Sequence, residues 1–204
     1  MRIMNKYLGR FLIAFVFLSQ AAFAQNKFEK EIKISFETYL ASVEKRDYEG
    51  SVEYLIPEFF DVIPKEQMID MMKQVFENPT MEFQIKDSKV LDLGKLQVVN
   101  KKYYSMMHYS AVMFMKFSFD TEGQDEASKL ETQKQMKAAF DEGFGAGNVK
   151  YHAETDTYEI FAKKQVCASS VNGVDNWKFI VFEKDLMPIM VKFLPKEILD
   201  QAEF

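Results

Sequence analysis

Residues 97–119 alternate with a period of two for longer than any other stretch, and this run limits the fold more than any other feature of the chain. One set of positions carries Tyr103, Met107, Tyr109, Ala111, Met113, Met115, Phe117 and Phe119. The intervening set carries Lys102, Tyr104, Met106, His108, Ser110, Val112, Phe114, Lys116 and Ser118. Successive side chains of a strand point to opposite faces, so the run reads as one long strand with apolar residues on both sides. At ~3.4 Å per residue it is too long to stay flat, which predicts a bend or bulge within it. Other strands follow from the same rule. Met81, Phe83 and Ile85 alternate with Glu82, Gln84 and Lys86. Strands near 148–153 and 157–171 meet at Thr155-Asp156, and the Asn172-Gly173 turn leads to a last strand from about Asn176 to Glu183.

The N-terminal third has helical period instead. Phe28, Ile32, Phe36, Tyr39, Leu40 and Val43 recur at steps of three and four within 27–46. Asp47 is placed to cap a short second helix ended by Pro57, and Pro64 opens a third. Met68, Ile69, Met72, Val75 and Phe76 are expected to form the buried face of that third helix, which Asn78-Pro79 stops. A further helix is expected over about 127–141, ended by Gly143, Gly145 and Gly147. The tail from 186 to 194 is unusually apolar, and Pro195 is expected to open a short terminal helix. Burying a Leu, Ile, Met or Phe side chain is worth ~1.5–3 kcal/mol, so the tail should dock on the sheet or across its open end. Helices followed by long antiparallel strands read as α+β, with the helices on one sheet face. No repeat or linker divides 25–204, which reads as one domain.

The run Phe36-Glu-Thr-Tyr-Leu-Ala-Ser-Val-Glu-Lys-Arg-Asp-Tyr48, followed by Tyr54-Leu-Ile-Pro57 and the Pro64 helix, resembles the opening of NTF2-like (SnoaL/ketosteroid-isomerase-like) domains. The closing Asn172-Gly-Val-Asp-Asn-Trp-Lys-Phe179 is similar to the last hairpin of that superfamily. The helix near 127–141 and the apolar tail depart from the pattern. The resemblance implies three N-terminal helices packed on a curved antiparallel sheet, a cone that often holds an apolar pocket and often dimerises through the sheet. Enzymes and non-catalytic binding proteins share this fold, so the fold alone assigns no activity.

Residues 1–24 read as a signal peptide. Arg2, Lys6 and Arg10 supply the positive start, Phe11–Leu18 the apolar stretch, and Ala22-Phe23-Ala24 the cleavage pattern before Gln25. The apolar stretch is far shorter than the ~20 residues needed to span a bilayer, so export to the periplasm or medium is expected, with no membrane anchorage after cleavage. Losing those three cations leaves a chain more acidic than the formal −5 of all 204 residues, which argues against nucleic-acid binding.

Little in the sequence points to catalysis. Cys167 is the only cysteine, so no disulfide forms within the chain, and Val166-Cys167-Ala168 is a strand-like setting for a buried thiol. His108 and His152 belong to no metal motif. Asp120, Glu122, Asp125 and Glu126 read as a solvated loop: Glu131 falls twelfth from Asp120, but the interior pattern of a calcium loop is absent. Gly143-Phe-Gly-Ala-Gly147 follows a helix where a phosphate loop would open one. No metal, cofactor or catalytic residue is therefore assigned. The candidate ligand-binding residues are those the cone would turn inward, Tyr103, Met107, Tyr109, Trp177 and Phe179. Asp61 joins them as the one acid embedded in apolar sequence, where burial would raise its pKa. Two readings follow. One is a non-enzymatic exported module that binds an apolar small molecule or a protein partner. The other is a small lyase or isomerase moving protons inside the cone. Tyr104, Met106, Val112 and Phe114 on the other face suggest a homodimer through the sheet.

Overall fold

Helix α1 (28–44) buries Phe28, Ile32, Phe36 and Leu40, one residue in every four, which places them on a single stripe. The computed structural model describes residues 28–118 and 126–203; the expected signal segment and the acidic run from Asp120 to Asp125 lie outside the described residues. Beyond α1, Arg46 turns left-handed (φ 61°) and the Asp47 N–H closes back on the Ser42 carbonyl at 2.9 Å. Asp47 then caps α2 (Tyr48–Val52), its Oδ1 accepting the Gly50 N–H at 3.0 Å. A 3-10 turn (Pro57–Asp61) follows, and Pro64 precedes α3 (Lys65–Phe76). The expected burial of α3 does not occur: none of its residues is buried, and Val75 is 44% exposed. The helix reaches its neighbours through half-buried side chains, Phe76 on Phe83 with ring centroids 5.0 Å apart and on Tyr48 at 6.0 Å, and Met68 on the cluster under the tail.

The architecture is α+β, with six antiparallel strands in a curved, unclosed sheet. The strands are β1 (Met81–Leu93), β2 (Gln97–Val99), β3 (Lys102–Phe117), β4 (Val149–His152), β5 (Thr157–Ser170) and β6 (Lys178–Val181). β3 and β5 form the centre. β1 and β2 lie along the outer side of β3, and β4 and β6 along the outer side of β5. The break expected within 97–119 is a hairpin: Asn100 and Lys101 both have positive φ (50° and 64°), and β2 folds back on the start of β3. A lysine where such turns usually carry glycine hides the reversal from a sequence reading. β3 itself pairs with β5 from Tyr103 to Met115 without a register shift. The irregularities fall in its other partner, β1, between Lys86 and Lys89 and between Val90 and Asp92.

Because β3 and β5 stay in register, their two faces remain distinct along the whole length. On one face α1 covers Tyr103, Met107, Val166 and Ala168. Farther along the same face, α4 (Glu126–Phe144) sets Met136, Phe140 and Phe144 on Met113, Met115 and Ile160. Gly145 ends α4 with φ 87°. The opposite face carries the tail, as the expectation of docking required. Helices α5 (Met187–Met190) and α6 (Lys196–Leu199) bury Met190, Leu194 and Ile198 against Tyr104, Met106 and Cys167, with Pro195 opening α6. Helices thus cover both sheet faces rather than one, since Tyr104 and Met106 also demand burial. Polar contacts fix the tail's end. Gln97 and Gln201 exchange amide hydrogen bonds at 2.8 and 3.1 Å. Gln165 donates to the Gln201 carbonyl at 3.0 Å and accepts the Glu203 N–H at 2.9 Å.

Candidate functional site

Five of the six residues nominated from sequence meet beneath α1. Tyr103, Met107 and Tyr109 lie on one face of β3. Phe179 reaches the same face because Met107 pairs with Val166 and Ala168 pairs with Phe179 across β5, and Trp177 precedes it. The space between them is occupied by their own rings. The Phe36 centroid lies 5.2 Å from that of Tyr109, 4.9 Å from Phe179 and 5.6 Å from Tyr39. Edge-on and tilted contacts at these separations are the packing of a filled aromatic core. Asp61 is elsewhere. It ends the 3-10 turn exposed, while its neighbours Phe59 and Phe60 turn into the cluster on the opposite sheet face. Apolar neighbours in sequence did not bury it, because a helical turn points successive side chains in different directions.

The electrostatics of this interior favour groups that keep their protons. Burial pushes the Tyr39 phenol up to about 12 and the Tyr109 phenol higher still, with the Tyr39 and Glu183 charges adding to the latter. Glu183 is already ion-paired with Lys164 at 3.0 Å. The histidines lie apart from the cluster. His108, on the opposite face, has Nδ1 2.8 Å from Asp92 and Nε2 3.3 Å from Glu203. His152 has Nε2 2.7 Å from Glu159. Cys167 is fully buried under the tail, which pushes its thiol pKa up and disfavours the reactive thiolate. Among the described residues no group of three or more His, Cys, Asp or Glu is placed to hold a metal ion, and no helix is long and apolar enough to cross a membrane.

Open surfaces among the described residues include the following two. The first is the outer sheet face beyond His108 and Gln165, where the tail stops. Val112 and Phe114 are half-buried there, Phe161 is 42% exposed opposite Val112, and the Lys86 ammonium stands 5.4 Å over the Phe114 ring. A recess of about 230 Å³ beside Phe114 is rimmed by Glu82, Lys86 and Lys116. The second is an open groove of about 510 Å³ between α1, α2 and the start of β6, with Trp177 in its wall. Sequence reasoning nominated Trp177 but missed the rest of this groove. The available signal was the spacing of Ser35, Thr38 and Ser42, a hydroxyl stripe beside the apolar stripe of α1. No protein-family model and no curated protein matches the chain.

Proposed function

We propose that this chain is an exported, non-enzymatic interaction module of NTF2-like architecture that binds a protein partner on its outer sheet face. The observation carrying this reading is the contrast between the two sides of β3. Beneath α1 the aromatic rings fill the interior, so an apolar ligand has no volume to enter without displacing Phe36 or Phe179. On the other side, the tail covers Tyr104 and Met106 but leaves the strip of Val112, Phe114 and Phe161 uncovered. Apolar strips rimmed by charge are characteristic of association surfaces.

A second copy of the chain fits this strip. Lys86, Lys116 and Lys163 share it with Glu82 and Glu159, so a two-fold pairing can set acids against lysines while the aromatic residues meet at the centre. Light scattering on the chain from Gln25 onward tests the reading. The expected mass is about twice that of the monomer at micromolar concentration, falling to monomer in Phe114→Glu. A wild-type mass equal to the monomer, unchanged by that substitution, would remove the self-association reading. The proton-transfer alternative has less support, because the Phe36, Tyr109 and Phe179 rings pack against one another where a substrate would sit and Glu183 is engaged by Lys164.

A further inference from the structure

β5 is lined on the side away from β3 by two short strands that do not meet. β4 pairs with it as far as Ile160 and β6 begins at Val166, so no strand flanks the residues between. The hydrogen bonds at the borders show which backbone groups open there. The Phe182 N–H bonds the Gln165 carbonyl at 2.8 Å, which turns Gln165 towards the β6 side. Backbone groups of alternate residues point to the same side of a strand, so the N–H and C=O of Lys163 and Phe161 turn the same way. Asn148 continues the β4 register opposite Phe161, but its N–H bonds the Gly145 carbonyl at 2.9 Å instead. At ~3.4 Å per residue the notch between Asn148 and Phe182 is about 14 Å long, room for two or three residues. A recess of about 340 Å³ lies against it, lined by all of β5 from Phe161 to Gln165.

Three lysines and two glutamates are the charged side chains of the recess. Glu183 is paired with Lys164 at 3.0 Å, and Glu203 lies 3.3 Å from His108. Asn148 Nδ2 donates to the Phe144 carbonyl at 2.7 Å, and the Gln165 side chain is held by the tail. Lys163 and Lys184 are exposed and in no ion pair among the described residues, so their positive charges are uncommitted. Phe144, Phe161 and Phe182 give the recess its apolar surface. We propose that the notch receives the C-terminal end of a partner polypeptide, its last residues pairing with Lys163 and its carboxylate set between the Lys163 and Lys184 ammonium groups. The open N–H and C=O call for an amide backbone, which supplies both an acceptor and a donor. Asn148 and Phe182 stop the notch at both ends, so a chain end fits where a strand passing through does not. The uncommitted lysines select the end that carries a carboxylate over the ammonium end. The site does not rest on the two-fold pairing, since Lys184 lies off the strip of Val112 and Phe114.

The full chain is titrated with three acetylated tetrapeptides, Ser-Thr-Val followed by Val, Leu or Phe, each as the free acid and as the C-terminal amide. At least one free acid is expected to bind saturably by calorimetry, with its amide at least tenfold weaker. Lys163→Met combined with Lys184→Met should weaken that peptide at least fivefold at unchanged melting temperature. Amide hydrogen exchange supplies a readout that charge attraction alone would not move: bound peptide should slow exchange of the Lys163 N–H at least tenfold. Phe114→Glu should bind the peptide as the native chain does, which separates this site from the pairing of the outer face. Absence of saturable binding by all three peptides, equal binding of acid and amide, indifference to the lysine substitutions, loss of binding in Phe114→Glu or an unchanged Lys163 exchange rate would each overturn the proposal. So would a Lys163 N–H that becomes protected without peptide as chain concentration rises, the mark of a second copy in the notch.

Discussion

Gly173 lies flat against the ring of Tyr103: a Cβ built on it would stand 2.6 Å from Tyr103 Cδ1, and its φ is +68°. The turn that carries it is tied down by Ser170, whose Oγ donates to the Asp175 carbonyl at 2.7 Å and accepts the Gly173 N–H at 3.1 Å. Tyr103, nominated from sequence as a pocket residue, is thus closed over by the β5–β6 connection. Gly173→Ala should destabilise the chain by about 2 kcal/mol or more, from the left-handed backbone and the contact with Tyr103 together. Gly147→Ala is the control. Nothing stands within 4 Å of a Cβ there, and its effect should stay within about 0.5 kcal/mol. Urea denaturation of both variants measures the difference.

The tail holds Cys167 out of reach of solvent. Ile198 is fully buried in the cluster that contains Cys167, so Ile198→Ala should cost about 2–4 kcal/mol by leaving a cavity. For a chain of this size that lowers the melting temperature by roughly 5–15 °C. The weakened dock should also open more often, and Cys167 should then react with a disulfide reagent several times faster than in the native chain. An unchanged thiol rate alongside a lowered melting temperature would show that the tail does not gate access to Cys167.

Glu58 and Lys102 link the 3-10 turn to the start of β3 by a salt bridge. Burial, the largest single influence, would raise the Glu58 pKa, but the hydrogen bond from Lys102, a backbone hydrogen bond and the Lys102 charge together outweigh it and hold the carboxyl below its ordinary value. A carboxyl lowered in the folded state contributes stability above its unfolded pKa and loses it as pH falls through its folded pKa. Lys102→Met should therefore cost about 0.5–1 kcal/mol at pH 7, a discounted figure for a partly exposed pair, and the cost should shrink as Glu58 protonates below about pH 4. Denaturant curves at pH 7 and pH 3 decide the point. A deficit equal at both would trace to lost packing of the lysine stem.

Export is expected to remove residues 1–24. Intact-mass measurement of chain recovered from the periplasm or the medium should give a species beginning at Gln25. Recovery of a soluble cytoplasmic chain that retains Met1 would contradict the signal-peptide reading.

Much of the local structure was legible because local interactions decide it. The period of four in Phe28, Ile32, Phe36 and Leu40, the Asp47 cap, the turn at Asp156 and the end of α4 within the glycines 143–147 each depend on residues a few positions apart. They appear in the structure where the sequence placed them. The apolar tail was legible for a different reason: so many large side chains near Pro195 cannot remain in water. Tertiary structure decided everything that depended on which surfaces meet. α3 has an apolar stripe in sequence, yet none of its residues is buried in the fold, because α1, α4 and the tail supply the helices that cover the sheet. Asp61 sits among phenylalanines in sequence and in solvent in space. The reversal at Asn100-Lys101 required two left-handed residues, and only Asn100 is of a type that favours that conformation. Whether the Tyr103 face formed a pocket or a core was fixed by the reach of Phe36 across the sheet, and the groove beside Trp177 exists only because α1, α2 and β6 meet there. Periodicity along a chain says which side of an element is apolar, and only packing between distant elements says what that side will touch.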